Sequence, residues 1–254
     1  VELDLSIPFT AARARNAGFE RLMQLEPKTQ WVQFVDGDCE LVEGWMEAAE
    51  AFLEGHAEYA VACGRRRERF PEASVYNRLC DIEWNTPVGE AKYCGGDAMM
   101  RVAAFEQVGG FNDTVLAGEE PELCLRLRRA GWKIRRLDCE MTWHDAAMRR
   151  FGQWWKRAVR GGYGGTDVAV RFEKGDGGFC RHVQSARMWG VGWPLAVIVA
   201  ATGGVLVGGW KVSIVLALMV ALLMPVQMVR VGLREWRKGL DWKTAVGYGV
   251  LIMV

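Results

Sequence analysis

The fold is decided by the stretch Trp31-Val-Gln-Phe-Val-Asp36-Gly37-Asp38, in which two carboxylates follow directly on an apolar run. The apolar side chains predict a short buried strand, and Gly37 predicts its end. In open α/β sheets, ligands bind outside the carboxyl ends of the strands, so Asp36 and Asp38 lie where a ligand is expected. A carboxylate pair can share a hard divalent cation with a diphosphate. Taken alone, an Asp-x-Asp sequence is also typical of a solvated turn.

Charge divides the 254 residues into three parts, although the net charge is only +1. Acidic side chains are in excess up to about residue 145, basic ones from there to about residue 187, and the remainder is mostly apolar. The acidic part is long enough to bury a core of its own. We therefore predict three segments: a globular α/β domain over 1–148, a basic amphipathic interfacial helix and loop over 149–187, and membrane helices over 188–254.

The apolar segment predicts membrane-spanning helices. Residues 188–210 and 212–229 carry no charge, and each run is close to the ~20 residues that a helix needs to cross a bilayer. Only Lys211 separates them, which predicts a tight helical hairpin, and a third apolar run begins at Thr244. A buried core hairpin is the alternative.

Basic residues cluster outside the two apolar runs: Arg181, Arg187, Arg230, Arg234, Arg237, Lys238 and Lys243. By the positive-inside rule, both flanks and the globular domain are cytoplasmic, as in a multi-pass protein of the cell (inner) membrane. The seven cysteines are an odd number without a C-x-x-C pair, which favours a reducing compartment over a disulfide framework or a zinc site.

The globular part predicts alternating helices and strands. Glu119 and Glu120 open the best-marked helix, with Pro121 at its first position, and the positive end of the helix dipole favours carboxylates there. They are either plain capping acids or functional. The charged run 65–69 is expected to be a solvated loop in preference to a phosphate contact, and the glycine-rich run 161–165 a mobile loop. The other predicted elements are helices over 10–25, 44–53 and 102–108, and strands over 59–63, 133–137 and 141–144. A further strand is predicted over 92–100, interrupted by glycines that let another backbone or a ligand come close.

Taken together, these residues resemble a family 2 glycosyltransferase with the GT-A fold, a Rossmann-like nucleotide-sugar domain, over about residues 5–165. Five further motifs follow in the family's order beside the D-x-D of Asp36 and Asp38: Ala14–Gly18 resembles the A-R-N-x-G helix, Gly95-Gly96-Asp97 the acceptor-side strand, Gly109-Gly110-Phe111 the G-G-F turn, Gly118-Glu119-Glu120 the G-E-D loop with its R-L-R-x-A-G-W helix, and His144 a histidine after the last strands.

The resemblance implies a metal-dependent, inverting hexosyl transfer from a nucleoside-diphosphate sugar to a hydroxyl on a glycan or lipid-linked acceptor, for cell-surface glycan or glycolipid synthesis. Mg²⁺ or Mn²⁺ would be held by Asp38, with Asp36 and His144 as further metal residues, although a histidine in this setting is also typical of a structural role. Glu120 would be the general base. The implied substrate-orienting residues are Arg15, Asn16, Asp36, Gly95, Gly96, Asp97 and Glu119. Membrane lipids are expected partners, and nucleic acid is not.

Two departures from the family pattern matter. The usual catalytic aspartate is Glu120 here, one methylene longer, and the family's first strands, which hold the nucleotide base, are expected upstream of Val1. Two alternatives remain: a polyprenyl-phosphate sugar synthase, whose phosphate acceptor needs little base catalysis, and a non-catalytic membrane protein that keeps the domain for binding.

Overall fold

The globular part is built around one mixed sheet. The computed structural model describes residues 3–4, 6–172 and 183–253, and within them six strands pair in the order β1-β5-β3-β6-β2, with β4 also on β6. Only the β3–β6 pair is parallel. The strands are β1 Trp31–Phe34, β2 Cys39–Leu41, β3 Tyr59–Glu68, β4 Gly89–Glu90, β5 Ala98–Arg101 and β6 Lys133–His144.

Helices flank this sheet and alternate with its strands along the chain. Thr10 caps the first helix by accepting a hydrogen bond from the Arg13 amide, in line with the capping preference of threonine. The helices of the globular part are α1 Ala11–Leu25, α2 Trp45–Gly55, α3 Val75–Trp84, α4 Val102–Gln107, α5 Glu119–Arg129 and α6 Phe151–Arg171. The predicted helices over 10–25, 44–53 and 102–108 are therefore confirmed within two residues.

The core lies where β3 and β6 meet the helices. Trp45, Leu53, Val61 and Ile134 are fully buried there. Gly64 permits this packing, because a Cβ at that position would lie 2.7 Å from the Cβ of Met141. The close approach brings the carboxyl-terminal halves of β3 and β6 together, and both halves reach the candidate site.

Three sequence predictions about the strands are wrong. Residues 133–137 and 141–144 are not two strands but one continuous strand, β6. The run 65–69 is not a solvated loop, because β3 continues through it to Glu68, with three register shifts against β6 along its length. The strand predicted over 92–100 begins only at Ala98, because Gly95 and Gly96 adopt positive φ angles of 92° and 100° that no strand continues.

Helix α5 begins two residues earlier than the proline suggested. Gly118 is the N-cap, with a φ of 86°, and Pro121 occupies the third helical position rather than the first. The missing amide of a proline is tolerated throughout the first turn, since those amides have no partner within the helix. Glu119 and Glu120 therefore both stand inside the first turn.

The glycine-rich run 161–165 is helical, which corrects the predicted mobile loop. It forms the middle of α6. Gly164 is buried against the chain before α5, where a Cβ would lie 2.7 Å from the carbonyl oxygen of Ala117. The glycines thus let α6 approach the Gly118 turn closely.

The chain forms two compact units, Val1–Asp176 and Gly177–Val254. In the described part of the second unit, one helical run, Val183–Arg237, is long and apolar enough to cross a membrane. It contains a π-helical turn, Met188–Gly192, followed by α7 Trp193–Ala221 and α8 Leu223–Arg237, and α9 Trp242–Leu251 comes next. Arg181 and residues 173–182 of the predicted interfacial segment lie outside the described residues.

The long run folds back on itself. Gly209 has a non-helical conformation, with φ 77° and ψ −172°. The indole Nε1 of Trp193 donates to the carbonyl oxygen of Val220 at 2.9 Å, although 27 helical residues would extend over about 40 Å. Ser213 likewise donates to the carbonyl of Ala201 at 2.5 Å. The chain therefore reverses two residues before Lys211.

Candidate active site

Strand pairing brings Asp38 and His144 together. Cys39 of β2 pairs with His144 at the end of β6, and the Asp145 amide donates to the Asp38 carbonyl at 3.1 Å. As a result, His144 Nε2 lies 3.3 Å from Asp38 Oδ2. Asp38 is 58% exposed, whereas its histidine partner is mostly buried. The pairing that the resemblance implied thus has a structural cause in the β2–β6 register.

The second nitrogen of His144 lies beside a buried carboxylate. Nδ1 is 3.6 Å from Glu68 Oε2, is buried, and makes no hydrogen bond in the described structure. Histidines that bind metals commonly present their other nitrogen to a carboxylate in this way. Two ligand atoms at about 2.1 Å from one ion lie roughly 3 Å apart, close to the Nε2–Oδ2 distance. Asp38 and His144 therefore fit a Mg²⁺ or Mn²⁺ ion.

Asp36 belongs to an ion-pair chain. Its Oδ1 accepts from Arg15 at 2.5 Å and its Oδ2 from Arg66 at 3.0 Å. Arg15 also donates to Glu119 at 2.6 Å, so it joins the Asp-x-Asp loop to the start of α5. Burial alone would raise the pKa of Asp36, but Arg66 and Arg15 outweigh it and hold the pKa below its ordinary value. With both oxygens engaged by arginines, Asp36 has less capacity for a metal than Asp38.

Asp97 belongs to the same set of ion pairs as Asp36, through Arg66. It is completely buried, and its oxygens accept from the Asp36 amide at 2.8 Å, from Thr142 at 2.9 Å and from Arg66 at 2.8 Å. Gly96 is favoured beside it, because its φ of 100° suits glycine and a Cβ there would lie 3.1 Å from an Arg66 nitrogen. Of the two predicted orienting glycines, Gly96 thus contacts the ion pairs, whereas a Cβ at Gly95 would meet nothing within 4 Å.

Arg66 is the functional residue that the sequence reasoning missed. Its side chain is only 12% exposed and bridges Asp36 and Asp97. No alternating pattern in the sequence could have revealed it, since β3 is buried at every position from Tyr59 to Gly64, and the density of charge in 65–69 favoured a loop.

We expect Arg66→Met to lower the free energy of unfolding by about 3–5 kcal/mol, because it leaves Asp97 as an uncompensated buried charge. Arg69→Met is the matched control on the same run, since its pair with Glu40 is exposed and its loss should cost less than about 1 kcal/mol. Urea unfolding of the full chain in detergent, followed by tryptophan fluorescence, measures both. Equal losses in the two variants would contradict the assigned role of Arg66.

Asn16 contacts a turn rather than the Asp38–His144 pair. Its Nδ2 donates to the carbonyl of Phe111 and to Asp113, each at 2.8 Å, and its Oδ1 accepts from the Phe111 amide at 2.9 Å. The side-chain amide of Asn16 therefore connects α1 to the Gly109-Gly110-Phe111 turn. Through α1 it also holds Arg15, which lies above the Phe111 ring at 5.3 Å.

The two glutamates of α5 have different surroundings. Glu119 faces Arg15 and is part of the ion-pair chain. Glu120 is buried, and its Oε1 accepts from the Cys94 amide at 2.6 Å, directly before Gly95 and Gly96. The start of α5 thus presents one carboxylate to the Asp-x-Asp loop and one to the glycine segment.

The mixed sheet and its flanking helices define an α/β protein, with the Asp-x-Asp loop and His144 at the ends of its strands. Residues 19–229 match the model of the family described as glycosyl transferase family group 2. Because this match covers most of the chain, the protein belongs to that family. No curated protein sequence matches the chain.

A solved structure of a mannosyltransferase supports this fold. The mannosyltransferase PcManGT from Pyrobaculum calidifontis, solved in complex with GDP-Man and Mn²⁺, is 16% identical with a TM-score of 0.53, over 96% of this chain and 66% of that chain. S. aureus TarS is 12% identical with a TM-score of 0.44, over 68% of this chain and 29% of that chain. The chain thus spans less than a third of TarS and just under two thirds of PcManGT.

Proposed function

We propose that this chain carries the catalytic centre of an inverting, metal-dependent glycosyltransferase that moves a sugar from a nucleoside-diphosphate sugar to a hydroxyl acceptor. One observation carries the proposal: in a member of this family, Arg15 joins the loop of Asp36 and Asp38 to Glu119, the residue before Glu120, and Asp38 lies beside His144. The Mn²⁺ and GDP-Man bound by PcManGT are consistent with it.

The residues divide the chemistry among them. Asp38 and His144 would hold Mg²⁺ or Mn²⁺, which when bound neutralises charge on a departing diphosphate. Glu120 takes the proton of the acceptor hydroxyl while that oxygen forms its bond to the anomeric carbon. The bond from that carbon to the diphosphate oxygen breaks on the opposite face, so the configuration inverts. Arg15 and Asp36 orient the donor, and Glu119 holds Arg15 in place.

Calorimetric titration of the full chain with a panel of UDP-, GDP- and dTDP-sugars tests this function. At least one donor should bind in the presence of Mn²⁺ or Mg²⁺ and lose its binding when the metal is chelated. Donor affinity that is the same with and without Mn²⁺ or Mg²⁺ would contradict the metal-dependent mechanism. Binding without release of the nucleoside diphosphate under any acceptor would favour the non-catalytic alternative.

We also propose that the protein is membrane-attached through several helices, with its globular unit cytoplasmic. Gly209 divides the helical run Val183–Arg237 into two arms, each long enough to span a bilayer, and α9 begins a third. Glycines bring α8 and α9 close, since a Cβ at Gly249 would lie 2.3 Å from the Met228 carbonyl oxygen. Such small-residue contacts are typical of helix packing in membranes.

Helix α6 would lie on the cytoplasmic membrane surface. Four large apolar side chains recur on it at four-residue spacing and are exposed: Phe151, Trp155, Val159 and Tyr163. Basic residues accompany them at 149, 150, 156 and 160. Aromatic and basic side chains at helical spacing are typical of a helix in the membrane interface.

Cysteine labelling checks the topology. In sealed vesicles with the native orientation, Lys211→Cys should react with a membrane-impermeant maleimide from outside, because it lies at the tip of the hairpin. Glu50→Cys, an exposed position on α2 of the globular unit, is the control and should react only after the membrane is opened. The partly exposed Cys39 and Cys139 belong to the globular unit and should also stay unlabelled from outside. The reverse pattern would refute the orientation.

A further inference from the structure

Two buried thiols contact the Glu120 carboxylate. Cys124 Sγ lies 3.1 Å from Glu120 Oε1 and 3.7 Å from the sulfur of Cys94, and both cysteines are fully buried. Cys124 follows Glu120 by four residues on α5, which places the two side chains on the same helical face. The Cys94 amide donates to the same oxygen at 2.6 Å. One carboxylate oxygen therefore has two donors from two different elements.

The Cys124 thiol acts as a donor here. Burial raises its pKa well above the ordinary value, so the sulfur keeps its proton. Two acceptors lie within reach of this single S–H, and the Glu120 carboxylate is the stronger of them because charged groups make the stronger hydrogen bonds. Among the described residues, the hydrogen bonds to Glu120 all go to Oε1, and no cationic side chain pairs with it. Oε2 is thus the oxygen left for chemistry.

We propose that Cys124 is a positioning residue for glycosyl transfer, which fixes Glu120 Oε1 jointly with the Cys94 amide so that Oε2 receives the acceptor proton. This inference rests on the proposed function, in which Glu120 is the base. Its physical basis is the sensitivity of proton transfer to placement, since a misplacement of 1 Å can lower a rate about 100-fold. The thiol restrains the side chain from within its own helix, and the amide restrains it from the segment before Gly95.

Three variants of the full chain test the role: Cys124→Ala removes the donor, Cys124→Ser keeps a donor at the same place, and Cys80→Ala is a control that removes an equally buried thiol on α3. The measured quantities are kcat and KM for release of the nucleoside diphosphate, with Tm. We expect Cys124→Ala to lower kcat about tenfold with KM for the donor unchanged, the loss of one hydrogen bond to a charged group. Serine should restore most of this loss, and Cys80→Ala should keep the kcat of the unmodified chain.

Wild-type kcat in Cys124→Ala would overturn the inference, as would an equal loss of kcat in the alanine and serine variants, which indicates packing alone. If the alanine variant fails to fold, Cys124→Val, which retains the buried volume without a donor, takes its place with the same expected result. Glu120→Gln separates the two hypotheses. When it is inactive but the Cys124 variants are unaffected, only the positioning role fails, and when it is active, the proposed base itself fails.

Discussion

Glu120→Gln is expected to lower turnover by about 10²–10⁴-fold while donor affinity is retained, because a general base contributes by that order and glutamine cannot take up a proton. The variant should fold, since the glutamine oxygen can still accept from the Cys94 amide as Oε1 does. Release of the nucleoside diphosphate from the best-binding donor gives the turnover, and calorimetry with the same donor gives the affinity.

Glu119→Gln is the comparison for this prediction. It weakens the contact with Arg15 at 2.6 Å without touching the Cys94 amide, so it should cost less turnover and more donor affinity than the Glu120 variant. If Glu119→Gln abolishes turnover while Glu120→Gln retains it, the base is Glu119, one residue earlier. If both variants keep turnover, the acceptor needs no base, and the polyprenyl-phosphate alternative is favoured.

Local patterns were sufficient for the parts of the site that depend on neighbouring residues. The apolar run before Asp36 predicted β1, the apolar positions on one side predicted α1, and Pro121 predicted the start of α5 to within two residues. The Asp38–His144 proximity was available only from the family resemblance. Its physical cause is the pairing of β2 with the end of β6, a contact between residues more than a hundred positions apart that no local pattern encodes.

Tertiary contacts explain what the sequence could not predict. A run of four arginines within five residues favours a solvated loop, yet Arg66 is buried because Asp36 and Asp97 approach it from β1 and from the glycine segment before β5. Similarly, the glycines of 161–165 favour a loop when they are considered alone. In the structure they are helical, and Gly164 packs so closely against Ala117 that a Cβ would not fit. In both cases the deciding partner lies far away in the sequence.

The same contacts separate two carboxylates that look alike in the sequence. Asp36 is held between Arg15 and Arg66, whereas Asp38 is exposed and has the imidazole of His144 and the thiol of Cys39 beside it. Ion pairs with two arginines compete with a cation for Asp36, so the metal should depend chiefly on Asp38. Replacing Asp36 should therefore disturb the arginines and the fold around them, and replacing Asp38 should disturb the metal.

Asp38→Ala is accordingly expected to lower Mn²⁺ affinity by at least about 100-fold, since even the loss of an outer-shell partner of a metal ligand commonly costs 10–100-fold. Calorimetry with Mn²⁺ alone measures this directly, and a second titration with the donor should show that metal-dependent donor binding is lost with it. Glu40→Ala is the matched control, because this exposed carboxylate lies two residues away and pairs with Arg69 instead. The Tm of Asp38→Ala should stay near that of the unmodified chain, because no described contact buries its carboxylate. Undiminished Mn²⁺ affinity in Asp38→Ala would place the cation elsewhere and would contradict a metal site between β2 and the end of β6.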